Sequence, residues 1–502
     1  MPTLALFAWP VLTAIFFSTW RAPVAVLVSI IGGYLLLPPA FGVNFPLVPT
    51  LNKYNVAGLA ALTCALIFQA NHNDQLQKIQ GWVPKDNIAR FLLACVLLGF
   101  MATTLTNGDT QIIGERVNRA MSLYDGFSGL LSSMMLLIPF VLGRRYLATP
   151  EAQKTVLIAL VAAGFAYSLL ALFEVRMSPQ FNRWVYGYFP HSWNQHVRGD
   201  GFRPVVFLAH GLWVSIFFTM SYVAALGCMR ILDAKWRGLF LILSGWILMT
   251  LFLTKSLGAF MIALALTPVV LFLKSRLQLL VVGVLAMAVL LYPMLRAVDL
   301  VPVDRVVEFA AGIDEKRSRS FEFRVYNEDM MLQRAMERPL FGWGGNGRWL
   351  VHDPEKRNGG TIAVPDGYWA ILFGRAGWVG YIGEFGLLVG PVLLLVWRSY
   401  KVNFGPETTV LGVVLLANMI DLIPNASLVP ITWLLAGALW GRLELGSVSQ
   451  AAATGDDTET DRRRSAYSRS PKKRNAPGYR PKPDPVHRDK PMYSRFSKSS
   501  QH

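Results

Sequence analysis

Apolar residues run in long, nearly unbroken stretches along this chain, without strand-like alternation. The runs fall at 3–19, 22–38, 55–70, 90–105, 126–142, 155–174, 204–229, 238–254, 257–273, 277–293, 378–397, 407–421 and 427–441. A hydrocarbon core about 30 Å thick needs about 20 such residues per helix, with about 17 tolerated. The pattern predicts an all-α polytopic membrane protein with about thirteen transmembrane helices, or about twelve if 3–38 is a hairpin that does not fully cross. One long interruption, 294–367, stands out, because loops of that length inside a compact protein usually carry function. Within it, Phe321, Val325, Met331, Leu332, Ala335 and Met336 recur at steps near three and four, which predicts a helix over 317–338. Pro339 ends that helix, and Gly342, Gly344, Gly345 and Gly347 form a turn-rich strip without the spacing of a phosphate-binding loop. The chain thus divides into transmembrane helices over 1–293, a large partly helical loop at 294–367, further spans at 368–441, and a tail at 442–502.

Composition agrees with the pattern: 53% of the 502 residues are apolar, a membrane rather than a soluble balance. The net charge of +17 suggests nucleic acid until its placement is considered. Arg144 and Arg145, Arg230 with Lys235 and Arg237, Lys274 with Arg276, and Arg398 with Lys401 sit on alternate short loops. That alternation is the positive-inside pattern, so those loops are expected in the cytoplasm and no nucleic acid is expected as a partner. The segments 39–54, 106–125, 176–203 and 294–367 then face outward, and the carboxyl terminus faces the cytoplasm. The first residues carry no positive n-region, so no cleaved signal peptide is expected. Residues 450–502 are rich in Arg, Lys, Ser, Pro and Gly and are expected to be disordered. Their basic runs at 462–464 and 472–474 suit anionic lipid, or a passive solvated tail.

The candidate chemistry lies on the outward segments. The 294–367 loop holds Arg296, Arg305, Arg317, Arg319, Arg324, Arg334, Arg338, Arg348 and Arg357 against only Lys316 and Lys356. Arginine's planar fork grips phosphate and carboxylate in a bidentate way, so the loop is read as facing an anionic ligand, with a ligand-free solvated loop as the alternative. The 176–203 segment mixes Arg183, Arg198 and Arg203 with Phe181, Trp184, Tyr186, Tyr188, Phe189 and Trp193. Those rings suit sugar stacking or an aromatic belt at the membrane interface. Arg324 and Glu328 stand four apart, the spacing of an ordinary helical ion pair. Glu384 lies inside a predicted span, where an acid is costly and so a functional candidate; the alternatives are a structural ion pair and a site wall. His210 and Lys255 fall near outer ends of spans and are candidate cavity residues. Cys64, Cys95 and Cys228 sit inside separate spans with no disulfide or metal spacing.

The strip RVYNEDMMLQRAMERPLFGWGGNG, followed by PDGYWAILFGRAGWVGYIGEFGLL, resembles the O-antigen ligase and polysaccharide polymerase superfamily of bacterial membrane glycosyltransferases. The likeness extends to GDGFRPVVFLAHG at 199–211, where that family tends to place an arginine and a glycine just before a span. The resemblance implies a metal-independent enzyme of the bacterial inner membrane, with no cofactor, working at the periplasmic face on a glycan carried by undecaprenyl diphosphate. It implies exopolysaccharide or O-antigen assembly, with a chain-length regulator or a flippase of the same pathway as candidate partners. By position, Arg203 and Arg324 become the diphosphate clamp, supported by Arg198 and Arg319. Many ligases keep a histidine in the pair before the final outer span; this chain has Asp366-Gly367 there. Asp366 is then the expected base, or a turn residue after Pro365, with His352 as the other candidate. That departure favours a polymerase over a ligase acting on lipid A core. A lipid-linked oligosaccharide flippase and a non-enzymatic envelope scaffold are the rival readings. A flippase often shows internal repeats, and none is evident.

Overall fold

The computed structural model describes residues 1–46, 48–68, 79, 81–198, 201–298, 300–302, 305, 308, 312, 315–353, 355–356 and 360–446. The expected basic tail lies outside these residues from 447 onward, as does Arg357. The side chain of Arg317 is likewise outside the description.

Every predicted apolar run contains a helix. In chain order these are α1 (Pro2–Thr19), α2 (Ala22–Leu36), α3 (Lys53–Ile67), α4 (Asn87–Leu105), α5 (Leu123–Tyr146) and α6 (Pro150–Met177). A short α7 (Phe181–Tyr186) lies in the aromatic segment. Then come α8 (Gly211–Ile231), α9 (Ala234–Leu253), α10 (Leu257–Phe272), α11 (Ser275–Ala297), the loop helix α12 (Glu315–Met336), α13 (Tyr368–Arg398), α14 (Pro406–Asp421) and α15 (430–446). Eight of them are long and apolar enough to cross a membrane: α1, α4, α5, α6, α8, α9, α11 and α13. Helices α2, α3 and α10 are apolar but shorter. The strands are three small antiparallel hairpins, Gly42–Phe45 with Val48–Asn52, Gln111–Ile113 with Arg116–Asn118, and Val197–Arg198 with Gly201–Phe202. Each lies in a segment predicted as a loop.

Helix α8 forms the centre of the bundle, packed against α6, α9, α10 and α14, and every residue from Val214 to Cys228 is buried. Small residues let helices approach where no water-driven force pulls them together. At Gly437 of α15, a Cβ would sit 2.0 Å from the Phe140 carbonyl oxygen of α5, so no other residue fits that crossing.

Two polar ends flank this apolar middle. At one end Arg144 donates to Glu444 (Nη2···Oε2 2.6 Å, Nε···Oε1 3.0 Å) and to the Gly81 carbonyl. Arg145 lies over the Trp82 ring at 4.2 Å, and Arg398 meets Asp86 and the Leu443 carbonyl. The positively charged short loops of the sequence therefore double as structural contacts here. The opposite end holds the 106–122 hairpin, the aromatic segment and the 294–367 loop.

Helix α13 departs from the predicted 378–397 span. It begins ten residues earlier and breaks at Gly377, whose φ of 59° and ψ of −163° are not helical. The strip after Pro339 supplies the missing partners. Trp378 and Val379 N–H groups donate to Pro339 and Leu340 carbonyls, and Trp343 and Gly344 N–H groups donate to Gly374 and Arg375 carbonyls. A broken span is tolerated only where such groups are satisfied by protein. A Cβ at Gly377 would lie 2.5 Å from the Leu340 carbonyl.

Candidate functional site

Three separated stretches build the end of the bundle that holds the 294–367 loop. The first is 204–210, which was predicted as the start of a span. Instead it is non-helical and α8 begins at Gly211. Pro204 and the residues Val205 to Leu208 are buried, so their backbone groups need partners away from water. Glu174 on α6 accepts the Val205 and Val206 N–H groups at 2.8 and 2.7 Å, and Tyr167 accepts that of Phe207. Buried Lys53 donates to the Phe207 carbonyl at 2.6 Å. Val206 has a φ of 53°, a costly conformation for a β-branched residue. Such irregular backbone, over-determined by side chains, is characteristic of functional sites.

Arg203 emerges from the start of this stretch. It is 7% exposed; one Nη donates to the Lys255 carbonyl at 3.1 Å, and its Nε has no hydrogen-bond partner among the described residues. Burial, then the charges of Arg198 and Arg324, pull its guanidinium down to about 10. Those same couplings place Arg198, Arg203 and Arg324 in one electrostatic neighbourhood, although they belong to different parts of the sequence. Lys255, with φ of 56°, donates its ammonium to the Arg198 carbonyl at 2.6 Å and thus fixes the arginine-bearing hairpin.

The second stretch is α12, carrying Arg324. Among the described residues, Arg324 pairs with Asp366 and not with Glu328, the partner its four-residue spacing offered. Arg324 Nε meets Asp366 Oδ2 at 3.3 Å, and both side chains are about a third exposed (35% and 38%). Burial raises the Asp366 carboxyl above its ordinary value, with Arg324 acting in the opposite sense. Glu328 turns to α11, where Tyr292 donates to it at 3.4 Å, and burial pushes it up to about 7. Arg319 is on the exposed face of α12.

The third stretch is the 360–384 segment. The break at Gly377 folds the first part of α13 back, so the Tyr368 phenol donates to Glu384 Oε2 at 2.6 Å across sixteen residues. In a straight helix they would lie about 24 Å apart. Glu384 thus meets a phenol, and the acid is 5% exposed. Beside it, the 421–427 turn contributes Asp421, which accepts from Ser427 at 2.5 Å and Asn425 at 2.8 Å and lies within reach of the Arg324 charge. Tyr368 N–H donates to the Leu422 carbonyl, tying this turn to the base of the loop.

Other candidates have mainly local roles. His352 is 8% exposed, with Nε2 3.0 Å from the Gly347 carbonyl and a backbone bridge to Thr361. Four loop arginines are engaged in holding the loop together, which corrects the reading of the whole loop as one anion surface. Arg296 pairs with Asp329 at 2.5 Å, Arg334 with Glu337 at 2.6 Å, and Arg338 and Arg348 with Asp109 at 3.0 and 3.1 Å. Arg334 and Arg338 also stack on Trp343. The aromatic segment is partly structural as well: Tyr186 and Tyr188 donate to the Leu36 and Pro39 carbonyls at the end of α2. Trp184 is 60% exposed.

Sequence reading missed the histidines His191 and His196, which gather with His210 beside Arg203. His210 caps α8, its Nδ1 accepting the Leu212 N–H at 3.1 Å. Burial first, then neighbouring histidines and arginines, lower His196 to about 4 and His210 to about 3. Their scatter along an aromatic loop gives no spacing signal.

No protein-family model, no curated protein and no solved structure matches this chain.

Proposed function

We propose that this chain polymerises or transfers a glycan carried on a polyprenyl diphosphate, acting at the periplasmic face of the bacterial inner membrane, with polymerisation favoured. The apolar helices form about twelve to thirteen spans in this reading, and the tail is cytoplasmic. The observation that carries the proposal is the buried, acceptor-poor Arg203, close enough to Arg198 and Arg324 to feel their charges, at the end of the bundle where Arg324 pairs with Asp366. Arg203 is buried, charged and short of acceptors, which is costly unless an anion completes it.

In this reaction the bond between the donor sugar and phosphate breaks while an acceptor hydroxyl attacks the same carbon. The demand is charge stabilisation on the departing diphosphate, which fixed arginines meet. Asp366 takes the hydroxyl proton as general base. Arg324 is shared between these two roles. As the diphosphate draws the guanidinium, Asp366 loses an opposing charge and becomes the stronger base. The exposed Trp184 offers an apolar face for a sugar ring. A chain-length regulator or flippase of the same pathway is the expected partner class, and anionic lipid that of the tail.

The test replaces Arg203 or Arg324 by lysine, which keeps charge but removes the bidentate fork. With purified protein and a lipid-diphosphate-linked repeat, both variants should lose most of their product formation at normal protein level. Undiminished product from both would reject the arginine clamp.

A further inference from the structure

The histidines His191, His196 and His210 come from three places: the aromatic loop, the short 3₁₀ turn Trp193–His196, and the cap of α8. One ligand nitrogen from each lies within 4.8 Å of the other two. The His210 ring centre is 4.8 Å from those of both His191 and His196. His196 is wholly buried, yet neither of its ring nitrogens has a hydrogen-bond partner among the described residues. Buried polar atoms are nearly always satisfied, so an imidazole with both nitrogens unmet, facing two other imidazoles, points to a ligand. His191 is exposed and gives the cluster an opening to solvent.

We propose that His191, His196 and His210 bind one divalent transition-metal ion, zinc by ligand chemistry, which pins the 191–196 segment to the start of α8. Three imidazoles with an open fourth position suit zinc among the ions that imidazole favours. Closing on an ion at the usual Zn–N distance of about 2.0–2.1 Å draws the nitrogens together, a movement that exposed His191 can supply. His210 binding through Nε2 moves its proton to Nδ1, so the cap bond from Leu212 is exchanged for the metal bond. Arg198 and Arg203 oppose a dication here, so the fourth ligand is an anion such as hydroxide or phosphate. The ion's role is positional. The Arg203 N–H donates to the His196 carbonyl at 2.8 Å, and a clamped His196 therefore fixes where Arg203 begins.

The experiment uses the full chain in detergent, purified without a histidine tag and stripped with a chelator. It is titrated with Zn²⁺ against a chromophoric competitor, and separately with Co²⁺, followed by visible absorption. About one equivalent should bind, with the intense visible bands of four-coordinate Co²⁺. His191→Ala, at an exposed site where folding is retained, should weaken binding by more than the roughly tenfold that loss of even an outer partner costs. His196→Ala should abolish it. Substoichiometric binding by the wild-type chain, or binding unchanged in His191→Ala, overturns the site. Because no glycan is present, these outcomes are independent of the arginine-clamp test.

Discussion

The two polar ends of the bundle each bury an arginine, and they treat it in opposite ways. Arg144 is 0% exposed and has a two-pronged carboxylate partner in Glu444 plus the Gly81 carbonyl. Arg203 is 7% exposed and meets one backbone carbonyl, with its Nε unmatched among the described residues. A buried charge with its counter-ion is part of the scaffold, whereas a buried guanidinium with neither a carboxylate nor an aromatic face such as Trp82 gives Arg145 is open to an anion. Arginine content alone does not distinguish them. In the 294–367 loop, Arg348 is of the first kind, Arg334 and Arg338 are paired with carboxylates while partly exposed, and Arg324 stands between, loosely paired with Asp366, which is about a third exposed.

The comparison is broken most severely at Asp366. Asparagine keeps the turn but cannot take a proton, so Asp366→Asn should fold and insert normally while losing about 10²–10⁴-fold in glycan transfer. Accumulated unpolymerised lipid-linked repeats in cells would report it; normal product length would leave Asp366 as a turn residue. At the opposite end, Glu444→Gln strands the buried Arg144 charge. Thermal unfolding in detergent should show a loss of about 3–5 kcal/mol, and a variant as stable as the parent would mean the two ends do not differ as argued. Gly377→Ala should cost about 1–3 kcal/mol from its positive φ, and more if the Leu340 carbonyl cannot move. It should also reduce activity by disturbing the Tyr368–Glu384 contact, without touching Arg144.

A pH-dependent effect concerns Glu328, whose carboxyl burial raises from 4.5 to about 7. The folded state then holds a proton that the unfolded state gives up, so stability is greatest below pH 4.5 and declines toward pH 7. Glu328→Gln should flatten that decline, as read from unfolding midpoints across the range. An unchanged slope would show that Glu328 is ionised in the folded protein.

How much of this was legible beforehand follows from the range of the forces involved. Helix existence is set by local hydropathy and backbone satisfaction, so each apolar run of the sequence contains a helix, and Pro339 marks the end of α12 within a few residues. The partial use of the aromatic segment as scaffold was harder, since Tyr186 and Tyr188 find their acceptors at the distant end of α2. The glycine strip read correctly as a close-packed turn, but not what it packs against. Its partner is a break in α13 at Gly377, just ahead of the predicted 378–397 run, and hydropathy cannot show that helix also exists on the far side of Arg375.

By itself, the sequence determined a polytopic helical protein with charged short loops, and it marked Arg203, Arg324 and Asp366 through a patterned resemblance. Only the tertiary structure decided which charges are spent on one another. Arg324 left its helical neighbour Glu328 for Asp366, Asp109 took up both Arg338 and Arg348, and three histidines without any common spacing met at the cap of α8. Hydropathy acts residue by residue along the chain. Ion pairing and ligand geometry act across a few ångströms of space, and those distances exist only once the helices have packed.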